Sequence, residues 1–204
     1  EGEEEIGSEN LGKFLQTYKH MLPADFIVLS DTANFDTGIP ALTYQLRGIC
    51  TIDVTVQTIA QPVHSGMWGG PVPDPVQVMC TLIAGLQGKK GEIDVPGLYK
   101  QVAKTGKTQL QRIRKLPFNE AKFKREARMM KGMKLAGEKG YSVYEQLWTR
   151  PSLVVIAFDA RPIKGSSNQI IDHVTARLSL RTVPNMDGRA AGKAIVKKLT
   201  AKPP

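Results

Sequence analysis

Two segments in which apolar and polar residues alternate strictly constrain the fold of this 204-residue chain more than any other feature. In the first, Ile52, Val54 and Val56 are separated by polar residues, and residues 174–181 repeat the same alternation. Because successive side chains of a strand point to opposite faces, each segment predicts a strand with one buried face and one wet face. The sequence therefore predicts a sheet that is covered on one side.

The segments around these two strands predict the covering helices and a third strand. Asp74 is a typical N-cap and Pro75 a typical first-turn residue for a helix whose apolar stripe ends at Leu86. The continuous apolar run Ser152–Phe158 predicts a buried strand, and residues 188–199 predict a final helix. The resulting order is strand, helix, insertion, strand, strand, helix. This is the order of an α+β ferredoxin-like domain that lacks its last strand.

The first part of the chain has a different pattern. Ser8 predicts the N-cap of a short helix that continues to Tyr18. The apolar run Asp25–Asp31 is typical of a parallel strand buried on both faces, with Asp31 at the carboxyl end, where α/β sheets bind ligands. We therefore expect an α/β piece over residues 1–46 and the α+β domain over residues 47–204.

Positive charge is concentrated in one segment of the second domain. Residues 89–139 hold fifteen Lys or Arg against five Asp or Glu, whereas the rest of the chain holds thirteen against fourteen. A nucleic-acid-binding patch is one interpretation. We favour a solvated basic helical insertion at about residues 89–148, because aromatic residues are not interleaved as a stacking surface requires. Within it, the spacing predicts a helix over about Glu120–Leu135 that includes Met130 and Met133 in its apolar stripe.

Composition and cysteine usage predict a cytoplasmic protein that does not enter a membrane. The longest apolar stretches have the length of strands, whereas a bilayer-spanning helix needs roughly 20 apolar residues. Cys50 and Cys80 lie in apolar patterns without metal-binding spacing, which predicts reduced, buried thiols. Because the chain begins inside a motif and without methionine, we expect it to be an internal stretch of a longer protein.

An acidic cluster at Glu1, Glu3, Glu4 and Glu5 precedes the first predicted helix. Carboxylates near a helix N-terminus are stabilised by the helix dipole, which explains one or two of them. Four neighbouring carboxylates repel one another unless a cation neutralises them. Adjacent glutamates also suit a hydrolytic metal site, in which one holds the metal and one accepts the proton of bound water.

The motif Glu1-Gly2-x-Glu4-Glu5-x-Gly7-Ser8 resembles the central motif of the aminoacylase, carnosinase and cytosolic dipeptidase family of zinc metallopeptidases. The resemblance implies that Glu4 is the general base and Glu5 a metal ligand. It also implies that Asp31, in Ser30-Asp31, is a second metal ligand. A lone aspartate after a strand is otherwise more often a turn former.

The loop that begins Val63-His64-Ser65-Gly66 is similar to the start of this family's lid, or dimerisation, domain. The resemblance implies that His64 reaches the scissile carbonyl, in dipeptidases across the subunit interface, although an isolated loop histidine is usually a hydrogen-bonding residue. It also implies that Arg181, helped by Asn168, holds the substrate carboxylate. A surface arginine is the alternative, as Arg177 on the same face illustrates. The segment after Asn168 departs from the family pattern because Ile171 replaces a proline.

The resemblance implies a metal-dependent dipeptidase or related amidohydrolase with two Zn²⁺ ions, or Mn²⁺, in its complete site. Its partners would be a small peptide substrate and a second copy, bound through the lid, and neither nucleic acid nor a membrane. The family's upstream His-x-Asp and downstream histidine ligands do not occur in this sequence. The alternative is therefore a non-catalytic lid and dimerisation module, and a basic nucleic-acid-binding module is a third hypothesis.

Overall fold

The computed structural model describes residues 2–28 and 31–201, and these residues form five strands and seven α-helices. The strands are β1 Gly48–Gln57, β2 Val63–His64, β3 Ser152–Asp159, β4 Gln169–Ile170 and β5 His173–Thr182. The helices are α1 Leu11–Tyr18, α2 Ser65–Trp68, α3 Pro75–Ala84, α4 Lys107–Lys115, α5 Glu120–Glu126, α6 Val143–Thr149 and α7 Gly188–Ala201. The chain divides into two units, Glu1–Tyr44 and Gln45–Pro204.

The sheet of the second unit has three antiparallel strands in the order β1-β5-β3. The register runs from Gly48 opposite Thr182 to Gln57 opposite His173, so β1 and β5 pair over their whole length. On the other side of β5, Ser152 pairs with Arg181. β5 is thus the central strand, and both alternating segments predicted from the sequence form strands.

Helices α3 and α7 cover the apolar face of the sheet. Leu178 and Leu180 of β5 pack with Ile195 of α7 in the main core cluster, which partly buried residues of α3 complete. Asp74 caps α3, because its carboxylate accepts hydrogen bonds from the backbone N–H groups of Val76 and Gln77 at 2.8 and 3.1 Å. The mixed α and β composition agrees with the predicted class of this domain.

The basic insertion is a folded part of the second unit. Its helices α4 and α6 are joined by Arg114 and Glu145, whose side chains lie 2.8 Å apart. Glu145 is almost fully buried, and it also accepts a hydrogen bond from the backbone N–H of Ser142 in a capping box at the start of α6. Burial raises the pKa of Glu145, but the hydrogen bonds from Arg114 and Ser142 outweigh burial and hold the pKa below its ordinary value.

Aromatic residues of the insertion pack on one another. The rings of Tyr144 and Trp148 are stacked at 4.9 Å, and Phe118 meets Tyr144 edge-on at 5.6 Å. This geometry is typical of favourable aromatic pairs. The prediction that aromatic residues are not interleaved in the insertion is therefore wrong, but these rings are engaged in packing within it.

The first unit contains no buried residue among those described. The predicted strand Asp25–Asp31 is wrong for its described part, because residues 25–28 and 31 are not in a strand and Leu29 and Ser30 lie outside the described residues. Phe26, Ile27 and Val28 are 89%, 83% and 88% exposed. A strand buried on both faces forms only between neighbouring strands and covering layers, and this unit has none in its described residues.

The predicted helix cap at Ser8 is also wrong. Ser8 has a positive φ of 52°, and the first helix begins at Leu11 after Asn10. The predicted helix Glu120–Leu135 ends at Glu126, shortly before Arg128, whose φ is 51°. A left-handed residue cannot continue a right-handed helix.

Three predicted burials are wrong: that of β3, that of Met130 and Met133, and that of Cys80. β3 pairs only with β5, so it is an edge strand, and its Val154 and Ile156 are 51% and 56% exposed. Met130 and Met133, predicted as core residues of a helix, are exposed because the helix ends before them. Cys80 is exposed, whereas its neighbour Met79 in α3 is fully buried.

In the part of the chain that the structure describes, no helix combines the length and the apolar character that are needed to span a bilayer.

Candidate functional site

The glutamates of the acidic cluster differ in their contacts: Glu3 is hydrogen-bonded to Asn10, whereas Glu4 and Glu5 are exposed. Both carboxylate oxygens of Glu3 accept hydrogen bonds from Asn10, one from its backbone N–H at 3.1 Å and one from its side-chain amide at 2.7 Å. These bonds lower the pKa of Glu3. Glu4 and Glu5 lie in a single turn of 3-10 helix, Glu4–Ile6, and are exposed. The helix-terminus explanation thus accounts for Glu3 and leaves Glu4 and Glu5 available for another role.

The predicted metal ligands do not form a complete site. Asp31 is exposed, and Glu1 and Ser30 of the predicted motifs lie outside the described residues. Among residues 2–28 and 31–201, no three His, Cys, Asp or Glu side chains are grouped so that they could hold a metal ion. Catalytic zinc sites use three protein ligands. Glu5 and Asp31 alone therefore do not fit a complete metal centre.

His64 is held in a defined orientation at the end of β2. Its Nδ1 accepts a hydrogen bond from the backbone N–H of Gly66 at 3.1 Å. In a neutral imidazole the other ring nitrogen, Nε2, then carries the hydrogen and can donate it. A Cβ atom at Gly66 would lie 2.8 Å from Cε1 of His64, so a side chain at this position would displace the imidazole from the observed orientation. The sequence pattern His64-Ser65-Gly66 was the only sign of this contact.

His64 and Asn168 are brought together by a small two-stranded sheet. His64 pairs with Gln169 across β2 and β4. The carbonyl oxygen of Asn168 accepts hydrogen bonds from the backbone N–H and the hydroxyl of Ser65, at 2.9 and 3.0 Å. Arg161 fixes the same loop by donating a hydrogen bond to Gln169 at 2.8 Å. Asn168 thus uses its backbone for anchoring, and its side chain is exposed.

Arg181 lies near the end of β5, on the face of the sheet that the helices do not cover. Arg177 lies on the same face and is neutralised, because its guanidinium binds both carboxylate oxygens of Asp53 at 2.6 and 2.7 Å. Those hydrogen bonds lower the pKa of Asp53 and raise the pKa of Arg177. Arg181 has no ion pair or hydrogen-bonded side chain among the described residues. The two arginines, equivalent in sequence pattern, therefore differ in availability.

Arg47 was not selected from the sequence, and no motif marks it. It immediately precedes β1 and is half-buried. Burial lowers the pKa of Arg47, and the positive charge of Arg181 lowers it further. The site consequently contains a second cation close to Arg181, which only the strand register reveals.

An open groove of about 420 Å³ lies between α3, the insertion and the start of β3. Its lining includes Leu86, Glu138, Arg150 and Val154. Arg150 forms an ion pair with Glu138 and lies over the rings of Tyr99 and Tyr141. None of the predicted site residues lines this groove, so it does not belong to the predicted chemistry.

Comparison with known proteins gives the family of the chain. The model of the M20 peptidase dimerisation domain matches residues 44–204. The cysteinylglycine-S-conjugate dipeptidase of Corynebacterium striatum is 30% identical over 205 residues, which cover 100% of this chain and 43% of that protein. The Cys-Gly metallodipeptidase of Schizosaccharomyces pombe is 30% identical over 210 residues, which cover 98% of this chain and 42% of that protein.

The crystal structure of human carnosine dipeptidase 1 superposes with a TM-score of 0.78 at 27% identity, over 98% of this chain and 42% of that chain. The chain thus spans less than half the length of the relatives that it matches. These relatives confirm the resemblance predicted from the Glu1–Ser8 motif. The chain belongs to the M20 metallopeptidase family, and residues 44–204 carry its peptidase dimerisation domain.

Proposed function

We propose that the protein to which this chain belongs is a metal-dependent dipeptidase that hydrolyses the peptide bond of dipeptides or similar small substrates bearing a carboxylate. The observation that carries the proposal is the orientation of His64. Its Nδ1 is occupied by the N–H of Gly66, so Nε2 is the donor. A donor of this kind beside an exposed amide, Asn168, suits the stabilisation of an oxyanion. The relatives named as dipeptidases support this reaction class.

In this proposal Glu4 is the general base. It accepts the proton of the attacking water and delivers it to the leaving amine, which requires a carboxylate not engaged in other bonds. Glu3 is engaged with Asn10 in this way, whereas Glu4 is not bound to another described side chain. His64 donates from Nε2 to the oxyanion, and Arg181 binds the substrate carboxylate with help from Asn168.

In this proposal the complete site holds two Zn²⁺ ions, with Mn²⁺ as the alternative metal. Glu5 is a ligand of one ion and Asp31 a ligand of the other. The name of the relative from Schizosaccharomyces pombe supports a metal cofactor. The remaining ligands have to come from outside the described residues, since these residues hold no group of three potential ligands.

We propose residues 1–46 as part of the catalytic domain and residues 47–204 as a ferredoxin-like lid with its basic insertion. The order β1-β5-β3, with α3 after β1 and α7 after β5, supports this arrangement. The dimerisation-domain match and the exposed apolar edge of β3 support a homodimer formed through the lid. Sedimentation velocity tests this homodimer. Ile156→Lys, on β3, should weaken dimerisation, whereas Val196→Lys, an exposed control on α7, should not. Equal association of the two variants would contradict a dimer formed through β3. The cytoplasmic location stays a prediction.

Kinetics of the full-length protein test the catalytic assignment. Glu4→Gln is expected to keep its metal content and to lose turnover by several orders of magnitude, because the base is replaced by a neutral isostere. Arg181→Met is expected to impair substrates with a free carboxylate far more than amidated ones. Unchanged turnover of Glu4→Gln would exclude Glu4 as the base, and equal losses on both substrate types would remove the role of Arg181.

A non-catalytic lid and dimerisation module is the second candidate for the 204-residue chain itself. The exposed, ungrouped positions of Glu5 and Asp31 favour it. Calorimetric titration of the chain with Zn²⁺ separates the two candidates. Weak or absent binding is expected for the module. Micromolar or tighter binding, accompanied by peptide hydrolysis, would contradict it.

A further inference from the structure

Strand register places Arg47 and Arg181 at the same end of the sheet. Arg181 pairs with Ile49, and Gly48, which follows Arg47, pairs with Thr182. Arg47 immediately precedes β1 and is two residues from Ile49, so extending the strand alternation by one residue assigns it to the face of Ile49 and Arg181. It is then the diagonal neighbour of Arg181, a separation that long side chains bridge easily.

The charge at this position is not compensated by the described residues. Arg47 is half-buried, and neither Arg47 nor Arg181 has an ion pair among those residues. Burial lowers the pKa of Arg47, and the charge of Arg181 lowers it further. Arg177, four residues from Arg181 on the same strand, is by contrast held by both oxygens of Asp53. Of the two arginines of β5, Arg177 is therefore neutralised, whereas Arg181 lies close to the like charge of Arg47.

Two neighbouring guanidinium groups without a carboxylate are unfavourable by themselves, because like charges repel and burial of a charge costs free energy. A bound anion offsets both effects, because its negative charge attracts both guanidinium groups. Each guanidinium offers a planar set of N–H donors that matches the two oxygens of a carboxylate. We propose that Arg47 and Arg181 together bind one carboxylate group of the substrate, and that Arg47 is thus a second specificity residue of the site. This inference rests on the proposed dipeptidase function.

The proposal predicts opposite effects on ligand binding and on folding stability. Without ligand, replacing Arg47 removes a half-buried cation and its repulsion with Arg181, so the melting temperature of Arg47→Met should be unchanged or higher. The same substitution should weaken carboxylate binding. A residue that only supports the fold would lower the melting temperature when it is removed, and would leave ligand specificity unchanged.

The test is an NMR titration of the 204-residue chain with sodium N-acetylglycinate, followed on the arginine Nε–H signals, with N-acetylglycinamide as the neutral probe. We expect Arg47→Met and Arg181→Met each to weaken binding of the carboxylate at least fivefold. The double variant should lose less than the product of the two single losses, because both residues bind one group. Arg177→Met is the matched control and should bind like the unsubstituted chain.

The outcomes separate the inference from the function on which it rests. Loss of binding in Arg181→Met alone, with Arg47→Met unchanged, would overturn the role of Arg47 and leave the proposed carboxylate site intact. Equal binding by all variants, equal affinity for the acid and the amide, or no binding by the unsubstituted chain would overturn both. A lower melting temperature of Arg47→Met with unchanged specificity would assign Arg47 a structural role.

Discussion

Residues 2–44 and residues 45–201 contain similar apolar sequences, but these are exposed in the first region and, in β5, buried in the second. In the first region Phe26 and Val28 are 89% and 88% exposed, and no described residue is buried. In the second, Val174 and Leu180 of β5 are fully buried. The difference lies in the neighbours, because β5 has a strand on each side and helices across one face.

The comparison shows that an apolar pattern indicates which side chains can be buried. Whether they are buried depends on the strands and helices that pack against them. The same rule explains β3 within the second region, since an edge strand has a neighbour on one side only. Burial of apolar surface supplies most of the free energy that stabilises a fold. The sheet region should therefore carry nearly all of the measurable stability of the described residues.

The largest expected effect comes from truncating the core of β5. Leu180→Ala should lower the free energy of unfolding by about 2–5 kcal/mol, because it removes buried methyl groups and leaves a cavity. Phe26→Ala, in the exposed region, should change it by less than about 0.5 kcal/mol. Urea denaturation followed by circular dichroism measures both. An equal loss for the two variants would show that Phe26 is buried in solution and would remove the contrast between the regions.

The sequence predicted those parts of the fold that local chemistry determines. The alternation of β1 and β5 and the Asp74 cap of α3 lead directly to the observed elements, because each depends on neighbouring residues. The burial predicted for Ser152–Phe158 failed, since a run of apolar residues does not distinguish a central from an edge strand. The strand predicted over Asp25–Asp31 is wrong for its described residues, because an apolar run does not show whether other strands are present to pair with it.

The candidate site shows a similar division. The motifs selected Glu4, His64 and Arg181, because their residue types and neighbours are visible in the sequence. The proximity of Arg47 to Arg181 depends on the pairing of β1 with β5, two segments far apart in the sequence, which no local pattern encodes. The difference between Arg177 and Arg181 likewise depends on Asp53 in another strand.

An intermediate effect is expected at Glu145, the buried carboxylate of the insertion. Because its pKa is lowered on folding, its contribution to stability is present above the unfolded value of about 4.5 and is lost as the pH falls through the lower folded value. Glu145→Gln should cost about 1–3 kcal/mol at pH 7, because the hydrogen bonds with Arg114 and Ser142 are weakened in a buried site. The cost should shrink as the pH falls below about 4.5 and through the lower folded pKa of Glu145.

The control for Glu145 comes from the other region. Denaturation of the Glu145→Gln and Glu5→Gln variants is measured at pH 7 and at pH 3. Glu5 is an exposed carboxylate, so Glu5→Gln should leave the unfolding free energy unchanged at both pH values. A cost for Glu145→Gln that is constant with pH would show that packing, and not the ionised carboxylate, stabilises this position.

The smallest of the three effects compares the N-termini of two helices. Asp74→Ala should cost about 1 kcal/mol, within the range of 0.5–2 kcal/mol for loss of a side-chain cap, because the N–H groups of Val76 and Gln77 lose their acceptor. Asn10 precedes α1 without capping it through its side chain, so Asn10→Ala should not change unfolding of the sheet region. Asp74→Asn retains an accepting oxygen and should recover most of the loss. If Asp74→Asn is as destabilised as Asp74→Ala, the negative charge at the helix terminus, and not the hydrogen bonds of the cap, accounts for the stabilisation of α3.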